Sequence, residues 1–252
     1  MTALVRFWAL WLMCTSAFAS SAGEQLFEGN AAYRSGEYTR AESVYRALLD
    51  EGVVNGHVLY NLGNSFYRQG RSSEAMLAWR RAQILMPRDP DIQANLARAR
   101  DATRDRLPAL INSRDLFFWQ RRLSPREGAL TGSFLVGMGF VVLGAARWRR
   151  KDWRLLGASI SLVGGVVLMA ALDEASSMWR APSGIVLDAE VSVRSAVSAE
   201  GVELFQLHAG AEVRLKERTG EHVQIELADG RRGWLSAGSV GSVVPNAPFP
   251  VL

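Results

Sequence analysis

The stretch LYNLGNSFYRQGRSSEAMLAWRRAQILMPRDP, residues 59–90, decides the reading of the N-terminal half. It matches the sequence 34 residues upstream: Gly29 pairs with Gly63, Asn30 with Asn64, Tyr33 with Tyr67, Arg34 with Arg68, Gly36 with Gly70, Ala41 with Ala75, and Tyr45 with Trp79. A fixed period of this length marks stacked supersecondary units. In each unit a small residue lets two antiparallel helices approach, and aromatic and aliphatic residues fill the space between them. Pro87 then closes the second helix. The expected unit is a helical hairpin.

This segment resembles the tetratricopeptide repeat (TPR) family, with Leu62, Gly63, Phe66, Ala75, Trp79, Ala82 and Pro87 on its signature positions. The expected TPR domain spans 20–106, with repeats at 22–55 and 56–89. The first copy departs from the pattern, with Ala32 where a large residue is usual, Leu48 for the later alanine, and Val53 where proline would stand. Beyond Pro87, Asp89 can cap a helix whose first position is Pro90, and Ile92, Leu96 and Ala99 recur at helical spacing. That predicts a lid helix over 90–105.

Asn30, Tyr33 and Arg34 are spaced i, i+3, i+4 and share one side of a helix, as do Asn64, Tyr67 and Arg68. Asn61 and Asn95 form another pair at the same period. The resemblance implies that these eight residues line a peptide groove, with asparagine bonding the backbone of an extended ligand. The plainer alternative is a set of solvated residues on amphipathic helices.

Two uncharged apolar runs follow, within expected spans 127–146 and 155–172. At about 1.5 Å per residue each approaches a hydrocarbon core of about 30 Å. Ser124-Pro125-Arg126-Glu127 reads as a capping box in front of the first. The loop 147–154, RWRRKDWR, holds five basic residues and two tryptophans, as a short cytoplasmic loop would. Arg114, Arg121, Arg122 and Arg126 precede the first span, so charge alone nearly ties. The N-terminus breaks the tie. Arg6, an apolar stretch from Phe7 to Met13 and the small-residue site Ser16-Ala17-Phe18-Ala19 read as a signal peptide over 1–19, with an uncleaved anchor as the other reading. Two spans after an exported segment leave both soluble parts on the periplasmic side of an inner membrane. Residues 107–126 read as a linker in which Phe117, Phe118 and Trp119 form an interfacial helix or a buried edge. Gly157, Ser161 and Gly165, with Gly128 and Gly132, suggest close helix pairing.

After Pro182 short alternating runs separated by turn residues predict strands at 189–196, 208–218, 221–227 and 230–236. Thr219-Gly220 and Asp229-Gly230 supply the turns. VRSA at 193–196, HAGAEV at 208–213 and ADGRRGWL at 228–235 resemble the bacterial SH3 family, over an expected domain 182–244 with a tail at 245–252. His222 stands where relatives often carry tryptophan. For several relatives the ligand is cell-wall peptide or glycan, and Trp234 could stack on one; barrel packing is the favoured role.

The fold class expected is therefore a multidomain α plus β membrane protein: TPR hairpins, a transmembrane hairpin and an all-β SH3-like barrel. The whole order resembles the TPR-containing membrane proteins of bacterial aerotolerance (Bat) operons. That resemblance implies a scaffold working with von Willebrand A domain membrane proteins and, indirectly, a MoxR-type ATPase, in envelope maintenance or stress tolerance. A peptidoglycan-binding sensor acting through the barrel is the alternative. Cys14, inside the signal segment, is the only cysteine, which excludes disulfides and thiolate chemistry from the exported chain. His57, His208 and His222 are the only histidines and suggest no metal or catalytic set, so no cofactor and no enzyme are expected. The net charge of +4 belongs to arginines beside the apolar runs, and nucleic acid is not an expected partner.

Overall fold

A computed structural model describes residues 22–105, 107–108, 122–149, 152–180, 182–197 and 201–244. The expected signal peptide, the aromatic part of the linker, Arg150 and Lys151 of the basic loop, and the tail 245–252 lie outside the described residues.

The N-terminal array is built from α1 (22–34), α2 (Tyr38–Asp50), α3 (Gly56–Arg68), α4 (Ser72–Leu85) and α5 (Pro90–Ala102). The repeated glycines explain its period. A Cβ on Gly29 would lie 2.7 Å from the Tyr45 ring, and one on Gly63 would lie 2.5 Å from Trp79, so each hairpin closes around a glycine and an aromatic. Gly36 and Gly70 take φ of 82° and 80° in the turn between the helices of each hairpin, a region open to glycine without strain. Ala32 and Leu48 of the divergent copy are both buried, in the same core as Phe66, Ala75 and Ala82. Asp89 Oδ1 accepts from the amides of Asp91 and Ile92 and starts α5, which buries Ile92, Leu96 and Ala99 against that core. The helix ends at Ala102, and Thr103 is extended.

The capping box forms as spelled: Ser124 N donates to Glu127 Oε2 at 2.8 Å, and Glu127 N donates to Ser124 Oγ at 3.3 Å. It opens α6 (Pro125–Arg149), which pairs with α7 (Arg154–Arg180). Both are long and apolar enough to cross a membrane. Leu130, Phe134, Phe140 and Val141 of α6, with Leu155, Leu162 and Met169 of α7, face outward uncovered. The two helices meet on glycine: a Cβ on Gly132 would lie 2.6 Å from Leu168 N, and one on Gly164 2.6 Å from Val136 N. Gly128 faces Ala171, and Gly139 faces Gly157 and Ser161. Gly165, expected on this seam, has open space beside it instead. The seam follows 157, 161 and 164, a 4-then-3 step that tracks a left-handed crossing, whereas a strict step of four drifts off it.

The C-terminal part is an antiparallel sheet of seven strands: β1 (Ser183–Val186), β2 (Glu190–Arg194), β3 (Glu203–His208), β4 (Glu212–Thr219), β5 (His222–Glu226), β6 (Arg232–Ser236) and β7 (Val240–Ser242). Their order across the sheet is β3-β2-β6-β5-β4-β1-β7. Four strands were expected, and each extra one has a physical reason for lacking a signal. β1 buries three residues in succession, so it shows no alternation. β3 is a largely exposed edge, and the expected strand from 208 breaks at Gly210, whose φ is +88°. β7 is only three residues long. The hairpin turns at Gly220 and Gly230 are as expected, both with positive φ.

The sheet docks on the array. Ser73 Oγ donates to Leu187 O at 3.1 Å, Leu77 fills the space beside Gly241, and Arg81 Nη2 donates to Ser242 O at 2.7 Å. Ser73, Leu77 and Arg81 lie on the side of α4 opposite Ala75, Trp79 and Ala82, which face α3. Ile185 of β1 and Val243, just past β7, join the helical core. The junction is closed by Glu212, whose side chain is only 7% exposed: its carboxylate takes Arg100 Nε at 2.6 Å and stands 3.7 Å from Arg80 Nη2. Burial pulls the Arg80 guanidinium below its usual pKa, and Glu212 counters it. Asp105 closes the far side, accepting from His208 N at 2.6 Å with the imidazole Nδ1 at 2.9 Å. Arg88 Nη2 meets Glu127 Oε1 at 2.6 Å and ties the α4–α5 turn to the start of α6.

Glu212→Ala leaves two inward-facing guanidiniums without their carboxylate and should cost about 3 kcal/mol. Denaturant unfolding followed by tryptophan fluorescence measures it, with Glu212→Gln losing less because its amide oxygen still accepts a hydrogen bond.

Candidate functional site

All eight groove residues expected from the sequence lie on α1, α3 and α5. The four asparagines are half-buried and form two copies of one motif. Asn30 Oδ1 accepts from Tyr45 Oη at 2.8 Å and from Asn61 Nδ2 at 2.9 Å. One repeat later, Asn64 Oδ1 accepts from Trp79 Nε1 at 3.1 Å and from Asn95 Nδ2 at 3.3 Å. An indole can only donate, so Trp79 fixes which way the Asn64 amide points. Burial, with Tyr33 nearby, pushes the Tyr45 phenol up to about 12, which keeps it protonated and donating.

The asparagines thus do structural work that the sequence did not announce: each rung ties a hairpin to the next helix. These bonds engage four of the eight side-chain amide atoms. Among the described residues, the Nδ2 groups of Asn30 and Asn64 and the Oδ1 atoms of Asn61 and Asn95 have no further partner. Donor and acceptor alternate along the face, the pattern that an extended backbone offers in return.

Tyr33, Arg34, Tyr67 and Arg68 extend this face. Tyr33 meets Tyr38 edge to face at 5.4 Å, and the Arg68 guanidinium lies 4.6 Å from the Tyr38 centroid. Arg34 lies 5.9 Å from the centroid of Phe27, which is 68% exposed. Tyr67, 42% exposed, tilts against Trp79 at 5.6 Å. Phe27, Tyr38, Tyr45 and Trp79 are the residues that the sequence reading left out. A signal for the last two existed, since the Tyr45/Trp79 pair keeps an aromatic ring with a polar hydrogen at both positions.

A second concave place lies away from this face. A cavity of about 650 Å³ between the end of α5 and the sheet is lined by Arg100, Asp101, Thr103, Asp105, Gly210 and Glu212, among others. Its strongest groups are the Arg100–Glu212 and Asp105–His208 pairs that hold the junction. Among the described residues no group of three His, Cys, Asp or Glu gathers as a metal site would. Trp234 is half-buried on the face of β6 opposite Gly233 and Leu235, beside Gln224 and Arg194 in the strand register, and so stands outside the barrel core favoured for it.

Asn64→Ala removes the acceptor of both Trp79 and Asn95 and should lower stability by about 1–3 kcal/mol, whereas Tyr67→Ala, at an exposed position, should cost far less. Thermal unfolding of the two variants side by side makes the comparison. Among curated proteins, none matches the chain. Residues 28–91, from α1 to the start of α5, match the tetratricopeptide repeat family.

Proposed function

We propose that the protein is a non-enzymatic, membrane-anchored adaptor whose tetratricopeptide groove holds an extended segment of a partner protein. Tetratricopeptide repeats serve protein–protein interaction in general. One observation carries the proposal: the sheet takes the outer face of α4, through Ser73, Leu77 and Arg81, while Arg34, Tyr67 and Arg68 beside the asparagines are exposed. The α6/α7 hairpin fixes that face beside the bilayer and raises its effective concentration toward a membrane-bound partner.

Docking of the sheet on the array supports both lying on one side of the bilayer, as two spans require. The signal-like N-terminus and the basic loop favour the periplasmic side of an inner membrane. The SH3-like reading of the sheet and the partners implied by the Bat resemblance, von Willebrand A domain proteins and a MoxR-type ATPase, belong to this proposal and rest on that resemblance. Two measurements test it. A periplasm-active reporter should work at the C-terminus while a cytoplasm-active one stays silent. A photo-crosslinking residue at Tyr67 should capture a protein that one at Ser43, on the outer face of α2, does not; equal capture removes the groove.

The position of Trp234 favours a second reading, in which the outward face of the sheet binds cell-wall glycan. Cosedimentation with purified peptidoglycan that falls at least about fivefold in Trp234→Ala supports it, and no sedimentation of the intact protein rejects it.

A further inference from the structure

The tip of the α6/α7 hairpin, RWRRKDWR at 147–154, has no part in the groove or in the junction. An apolar stripe on each helix fixes the level at which it lies. Phe134, Val141 and Trp148 of α6 recur every seven residues, as do Leu155, Leu162 and Met169 of α7, and all six are at least 68% exposed. Seven residues are about two helical turns, so each set forms one outward face. The seam keeps the same interval on the other side, with Gly132 and Gly139 of α6 against Gly157 and Gly164 of α7. The α6 stripe ends in Trp148, about 21 Å beyond Phe134 at about 1.5 Å per residue. A tryptophan that closes a lipid-facing stripe marks the level where hydrocarbon gives way to headgroups.

Cations stand at that level. Arg147 and Arg149 flank Trp148, Arg154 precedes Leu155, and all three are exposed. Among the described residues none of the three has an ion pair, and Asp152 is the one carboxylate between the two helices. The helices stay packed up to this end, since a Cβ on Gly157 would lie 2.8 Å from Leu143 Cγ, so the three guanidiniums belong to one surface. The opposite end differs. Arg122 and Arg126 are exposed there, but Gly128 faces Ala171, which sets Glu127 level with Asp173 and Glu174, and Arg88 meets Glu127. The field is therefore positive at the loop end and mixed at the other. Basic and aromatic side chains also suit nucleic acid, but here the tryptophan ends an apolar stripe, which favours lipid.

We infer that the loop end of the hairpin binds the phosphodiester headgroups of anionic phospholipids, with Arg147, Arg149 and Arg154 meeting the phosphates and Trp148 seated at the hydrocarbon border. A zwitterionic headgroup brings a cation of its own beside the phosphate, so a cluster of arginines without carboxylates discriminates against it. This rests on the proposed membrane anchoring and adds the class of lipid. In the test, full-length protein is reconstituted in nanodiscs of equal parts phosphatidylglycerol and phosphatidylcholine with identical acyl chains, and native mass spectrometry counts the lipids it retains on release. Retention should favour phosphatidylglycerol by at least about fivefold, and by less when the discs are kept in high salt. Arg147→Gln/Arg149→Gln/Arg154→Gln should abolish that preference, Arg147→Lys/Arg149→Lys/Arg154→Lys should keep most of it, and Arg122→Gln/Arg126→Gln should leave it unchanged. Equal retention of the two lipids, or a preference that survives the triple glutamine change, overturns the inference and leaves the anchoring standing. Equal retention together with arginine-dependent binding of a DNA oligonucleotide reassigns the patch to nucleic acid. Failure of the protein to enter the discs overturns the anchoring and the inference together.

Discussion

A buried carboxylate stands at the centre of the junction between the two folded parts. Glu212 sits at the start of β4, takes Arg100 at 2.6 Å and faces Arg80, so residues from α4, α5 and the sheet converge on one charge. Arg80 and Arg100 are far from Glu212 in sequence, with both apolar helices between them. That charge sits where water is scarce, and its attraction for the two guanidiniums gains strength from the low local polarity while isolated members would be strongly disfavoured. The hairpin through α6 and α7 is therefore an insertion in a structure whose ends meet. Ile185 of β1 and Val243 just past β7, both in the helical core, show the same closure in apolar terms.

Inside the array the organising motif is a ladder of amides. Tyr45 and Trp79 each donate into an asparagine that also receives the next helix's asparagine. Because every rung joins a hairpin to its neighbour, the curvature of the inner face and the spacing of its side chains are set by hydrogen bonds as well as by packing. This has a chemical side effect. The amide atoms spent on the ladder are fixed in orientation, and those left over are oriented too.

The helical array was the most legible part in the sequence because its determinants are local and repeated. Gly29, Gly63, Tyr45, Trp79 and the Gly36/Gly70 turns all recur at one period, and Asp89-Pro90 spells its own helix start. The apolar helices were legible from composition, but the seam between them was not, since Gly164 and Gly165 are neighbours and a contact face turns on a single residue. The sheet was half legible. Strands β4 to β6 alternate and end at Gly220 and Gly230, whereas β1 is covered on both faces by tertiary contacts that no local pattern encodes. For the candidate site, spacing placed the eight residues on helix faces, yet the hydrogen bonds among the asparagines were not legible, because they depend on which donors lie across the hairpin.

α7 ends at Arg180 and β1 begins at Ser183, while Arg88 pins the α4–α5 turn to the cap of α6. The sheet thus follows α7 after two residues, and the array meets the start of α6 through an exposed ion pair. If the two helices slide or tilt against one another, the shear arrives at the Glu212 junction, where the two parts meet. A contact made with one of these two helices alone would therefore act on the junction from a distance, without touching it.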